Sequence, residues 1–72
     1  MTAGEAFAVN LRRISKELGI GTSELSRKSG VDRTTIYQYF SQHRDPRLTT
    51  ALLIAKALDV TVEKLAEGAE LL

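Results

Sequence analysis

Ser41, His43 and Asp45 are the residue types of a hydrolytic triad, and they stand at alternate positions in one short stretch of the chain. A triad needs a nucleophile, a base and an orienting acid held in fixed mutual geometry, with an oxyanion-binding turn nearby. Alternate positions in a single loop set no such geometry, and no glycine-rich elbow accompanies them, so the sequence predicts no enzyme. His43 is the sole histidine and cysteine is absent, which excludes a disulfide and any thiolate or multi-histidine metal cluster. The GIG at residues 19 to 21 lacks both the third glycine and the preceding strand of a dinucleotide-binding turn. Neither cofactor nor metal is implied. The chemistry left to this chain is recognition by charge and hydrogen bonding.

The net charge is only +1, but it is unevenly spread. Between residues 12 and 47, eight basic residues (Arg12, Arg13, Lys16, Arg27, Lys28, Arg33, Arg44, Arg47) face four acids (Glu17, Glu24, Asp32, Asp45). Residues 48 to 72 run the other way, with Lys56 and Lys64 against Asp59, Glu63, Glu67 and Glu70. This lopsidedness suits an anionic partner, although charges scattered on a solvated surface give the same count. The longest apolar run, ALLIA at 51 to 55, is too short to span a bilayer, and the amino terminus has no basic stretch followed by an apolar one. A cytoplasmic protein with no membrane contact is expected.

These charges must be positioned by regular elements, and 72 residues allow one domain, 1–72. Phe7, Leu11, Ile14 and Leu18 recur in steps of four, three and four, which predicts a first helix ending before Gly19. Three later helices each announce themselves by an apolar residue, a small or capping residue, and a second apolar residue five places beyond the first. The sets are Ile20, Gly21, Leu25; Val31, Asp32, Ile36; and Val60, Thr61, Leu65. Each reads as a hydrophobic staple closing over a helix start. LTTALLIAKAL at 48 to 58 supplies the remaining helix, begun after Pro46. Nothing alternates with period two, so the chain is expected to be all-α, a compact five-helix domain with helices at approximately 5–18, 22–29, 33–40, 47–58 and 62–68.

The gap between the second and third helices, SRKSGVDRT at 26 to 34, is tight. Gly30 can take positive φ, and Val31 with Asp32 restarts a helix at once. That spacing fixes two helices at a steep angle, which is the form of a helix-turn-helix, though ordinary corners of helical bundles share it.

LRRISKELGI at 11 to 20, SELSRKSGVDRTTIYQY at 23 to 39, DPRL at 45 to 48 and IAKALDVTVEKL at 54 to 65 together resemble the Cro and lambdoid phage repressor family, the XRE-type helix-turn-helix domains. The resemblance spans residues 7 to 67 and implies a bacterial or phage-encoded, nucleoid-associated transcription regulator, most like a repressor. Its ligand would be double-stranded DNA, bound as a homodimer on a two-fold operator. Carried over by position, the base-contacting places are Arg33, Thr34, Tyr37 and Gln38. Arg33 suits guanine O6 and N7, Gln38 suits adenine N6 and N7, and the Thr34 methyl suits a thymine methyl, while Tyr37 fits a base edge or a phosphate. Thr22 and Ser23, opening the second helix, and Ser41, Gln42, His43, Arg44 and Arg47, in the stretch after the third, take the phosphate-contacting places.

Two departures from the family pattern stand out. Many relatives pair an arginine late in helix one with a glutamate ending helix three, where this chain has Ser15 and Phe40. Loss of both together avoids a stranded buried charge and predicts that Phe40 packs inward. Gln42 replaces a usual glycine, which predicts an altered path for residues 41 to 47. The fold is also used by some antitoxins to grip a protein toxin, and Leu53, Leu71 and Leu72 are the residues from which a dimer or partner surface would be built.

Overall fold

The computed structural model describes residues 1–41 and 44–70. It folds them into α1 (Ala3–Leu18), α2 (Thr22–Ser29), α3 (Arg33–Ser41), α4 (Leu48–Ala57) and α5 (Val62–Leu65), with no strand among the described residues. The all-α, five-helix class expected from periodicity is the class found. None of these helices is long and apolar enough to cross a membrane.

α1 starts earlier than its apolar period suggests because Thr2 and Glu5 form a capping box. Thr2 Oγ1 accepts the Glu5 amide at 3.2 Å, and the Glu5 carboxylate accepts the Thr2 amide at 2.8 Å. A cap of this kind contributes about 1 kcal/mol. At the other end Gly19 holds φ +69, its amide donating to Lys16 O at 3.2 Å and that of Ile20 to Ser15 O at 2.9 Å. This pair of hydrogen bonds to the last turn carries Ile20 onto the core and leaves Leu18 52% exposed. The buried face of α1 therefore ends at Ile14 and Ser15, short of the expected Leu18.

The α2–α3 turn is stitched on both sides. The Gly30 amide, at φ +77, donates to Ser26 O at 2.9 Å. Ser26 Oγ donates to Val31 O at 2.6 Å, and Ser29 Oγ accepts the Val31 amide at 3.1 Å. Val31 packs on the core and Ile36 is fully buried one turn into α3. Asp32 caps that helix: its Oδ2 accepts the Thr35 amide at 3.1 Å and its Oδ1 the Thr35 hydroxyl at 2.6 Å.

α4 begins with Arg47 at its N-cap and ends before a turn in which Asp59 takes φ +57 and Val60 donates to Ala55 O at 2.9 Å. α5 opens on Thr61, whose Oγ1 accepts the Lys64 amide at 3.1 Å. It stops at Leu65, short of the expected residue 68, as Ala66 leaves helical geometry and the Glu67 amide bonds Lys64 O at 3.4 Å. Asn10, buried in α1, donates from Nδ2 to Leu65 O and to Glu67 O, both at 2.9 Å. The Ala69 amide turns back to Ala66 O at 3.0 Å and Gly68 takes φ +89.

One residue from each helix, Leu11, Leu25, Ile36, Ile54 and Leu65, is fully buried at the centre. Phe7 meets Tyr39 edge-to-face, centroids 5.6 Å apart and planes at 80°. Phe40 is half-buried against this cluster, the inward packing its replacement of a glutamate predicted. Ser15 is buried too, and its Oγ meets no hydrogen-bond partner among the described residues.

Candidate nucleic-acid interface

α3 packs its Ile36 and Tyr39 side against α1 and α2, which turns Arg33, Thr34 and Tyr37 outward. Thr34 and Arg33 are exposed and Tyr37 is 63% exposed. These three line one concavity of about 340 Å³ together with Thr22 and Ser23. The turn thus brings the start of α2 beside the start of α3, residues ten or more apart in sequence. Gly21 is the N-cap of α2 and offers no side-chain cap, so the first amides of that helix face outward at the positive end of its dipole. Arg33 Nη1 donates to Ser23 Oγ at 3.1 Å, leaving the Ser23 hydroxyl proton and the other guanidinium donors for a ligand.

Gln38 lies apart from this group. It is half-buried and borders a second concavity of about 460 Å³, whose walls include Asp32, Thr35, Arg44, Arg47 and Leu53. Arg44 Nη1 donates to Gln38 Oε1 at 2.9 Å. Asp32 is the acid in this neighbourhood, and the Thr35 hydroxyl, then the Thr35 and Thr34 amides, hold its carboxyl below the usual aspartate value. Both carboxylate oxygens therefore point back into α3's own first turn. Arg44 and Arg47 are exposed.

Ser41 is the last residue of α3 rather than the first of a loop, and its Oγ donates back to Tyr37 O at 2.9 Å. Its oxygen remains free to accept only, a poorer partner for a phosphate than a hydroxyl donor. Gln42 and His43 lie outside the described residues, as do Leu71 and Leu72. Leu53 is 41% exposed and sits beside Arg44 and Arg47. Sequence reading missed two leucines of the same helix that are more exposed still, Leu48 at 70% and Leu52 at 53%. Their spacing of four within LTTALLIA was the available signal. It also missed Arg12, whose Nη1 donates to Phe40 O at the end of α3. Among the described residues no three His, Cys, Asp or Glu gather where a metal could bind.

Comparison with known proteins bears on this arrangement. A family model described as Helix-turn-helix matches residues 11–65. A protein of Methanocaldococcus jannaschii, named as a candidate HTH-type transcriptional regulatory protein, is 35% identical over 54 residues; the match covers 75% of this chain and 17% of that protein. The chain thus spans about a sixth of that relative's length. No solved structure matches.

Proposed function

The chain belongs to the XRE-type helix-turn-helix family, and from that premise we propose that it binds double-stranded DNA in a sequence-dependent way and regulates transcription, as a repressor acting through a homodimer. The observation that carries this reading is the single concavity in which the uncapped start of α2, Thr22 and Ser23, adjoins the exposed side chains of Arg33, Thr34 and Tyr37. Amide and hydroxyl donors at the α2 start suit a phosphate, and a fork of guanidinium donors alongside suits a guanine edge. Arg33, Thr34, Tyr37 and Gln38 are assigned to bases. Thr22, Ser23, Arg44 and Arg47 are assigned to the backbone, with Ser41 a weaker member.

The relative from Methanocaldococcus jannaschii, by its name, supports regulation of transcription as the role of such a domain. A protein-partner reading, such as binding a toxin, draws support from one feature only, the exposed Leu48, Leu52 and Leu53 on α4. A second copy of the chain would cover the same leucines.

Selection from a randomised duplex pool at near-physiological salt tests the proposal. Enrichment of a palindrome with half-sites about 34 Å apart supports a sequence-reading dimer. Arg33→Ala should then cost about 1–3 kcal/mol on the best site and relax preference at one base pair. Equal loss on every sequence would refute a base-reading Arg33, and absence of binding would transfer the assignment to the protein-partner reading.

A further inference from the structure

Gln38 is the one of the four side chains assigned to bases that ends in an amide, whose two ends offer opposite chemistry: Oε1 accepts, Nε2 donates. An unrestrained amide of this kind presents either end to a base edge and so discriminates weakly. Here it is not unrestrained. Arg44 Nη1 donates to Gln38 Oε1 at 2.9 Å, a charge-assisted bond that only the oxygen end can accept. The guanidinium is held six residues further along the chain, and Gln38 itself is half-buried against the α3 start, where Asp32 and Thr35 line the same concavity. The facing charged groups are Asp32, Arg44 and Arg47, and the Asp32 oxygens are both engaged by Thr35, so Arg44 is the side chain that sets the amide.

We propose that Arg44 is a positioning residue for sequence recognition, fixing the amide of Gln38 so that Nε2 is the end offered to the major groove. The proposal rests on the DNA-binding reading above and departs from it in two respects: Arg44 contributes to preference as well as to backbone affinity, and Gln38 offers the base its Nε2 donor alone in place of the two-bond adenine contact. A donor aimed at the groove finds an acceptor on purine N7, guanine O6 or thymine O4, whereas the inverted amide would accept from cytosine N4 or adenine N6. With Oε1 held by Arg44, the inverted state is disfavoured and the base under Gln38 is read through a major-groove acceptor, which excludes cytosine on the contacted strand. Prior fixing of the rotamer also removes an ordering cost on binding, worth roughly 2- to 10-fold in affinity per immobilised side chain.

The test runs the duplex selection on the full chain and on Gln38→Ala, Arg44→Ala and Arg44→Lys. Arg44→Ala is expected to flatten the same column of the selected motif that Gln38→Ala flattens, by roughly 2- to 10-fold in preference, and to leave the other columns intact. Arg44→Lys, which restores a cationic donor, is expected to recover that column. Retained helicity and melting temperature in each variant exclude unfolding as the cause. An Arg44→Ala variant that binds all duplexes more weakly while keeping the column overturns the proposal, as does a Gln38→Ala variant with no column lost. Failure of the DNA-binding reading itself is seen separately, in a wild-type chain that enriches nothing.

Discussion

Gly30→Ala isolates the contribution of a single backbone torsion to the turn that sets α3 against α2. A Cβ added at Gly30 would meet nothing within 4 Å, so the substitution creates no clash. The residue keeps φ +77, and placing an L side chain in the left-handed region costs about 1–2 kcal/mol. Alanine also restricts the unfolded chain, which returns roughly 0.4–1 kcal/mol. The net loss is then about 1 kcal/mol, or about 4–8 °C in melting temperature for a domain this small. Gly30→Asn should lose less, since asparagine tolerates the left-handed region. Thermal and urea unfolding followed by circular dichroism measure both. The native turn should survive, because Ser26 Oγ and Ser29 Oγ still hold Val31. Losses above about 3 kcal/mol for both variants would mean that the site is sterically closed, and no loss for alanine would mean that the torsion is not left-handed. Either result refutes the reasoning.

Asn10→Ala should destabilise by about 1–3 kcal/mol, because it strips the donor from the buried Leu65 carbonyl; urea denaturation checks it, and an unchanged midpoint would rule out the anchoring role. Ser15→Ala should be neutral or raise stability by up to about 1 kcal/mol, since the hydroxyl it removes is buried without a partner, and a clear loss in the same assay would contradict that. The Asp32 carboxyl is lowered in the folded state by Thr35. Its stabilisation is therefore full above the ordinary aspartate value of 3.8 and fades as pH falls below that value toward the lowered one. The difference in melting temperature between wild type and Asp32→Asn should shrink across that acid window, and a difference that grows there would reverse the sign.

Much of the scaffold was legible because helix starts in this chain are written locally. Ile20, Val31 and Val60 each reappear packed on the core where the staple grammar put them. Boundaries failed for two reasons: the Thr2–Glu5 capping box that opens α1 is local and was passed over, whereas Asn10 reaches carbonyls 55 and 57 residues away, beyond the end of α5. Leu18 kept the right period yet lost its place to Ile20, because the turn after Gly19 brings a second apolar residue to the same edge. The site shows the same division. Arg33, Thr34 and Tyr37 share a helix face that spacing alone can infer, and their meeting with Thr22 and Ser23 follows from the tight turn. The pairing of Arg44 with Gln38 depends on the path the chain takes after α3, which an unusual residue at position 42 made unreadable in advance.

The latched α2–α3 turn has a calorimetric consequence. Its two serines hold Val31 from both sides before any ligand arrives, so this helix pair meets a ligand as a preformed unit. Binding should then show a heat-capacity change set by the surface covered alone, without the larger negative excess that accompanies coupled folding. On the proposed DNA-binding reading, the association step would be governed by orientation and charge, and any preference among duplexes would be expressed in how long each complex lasts.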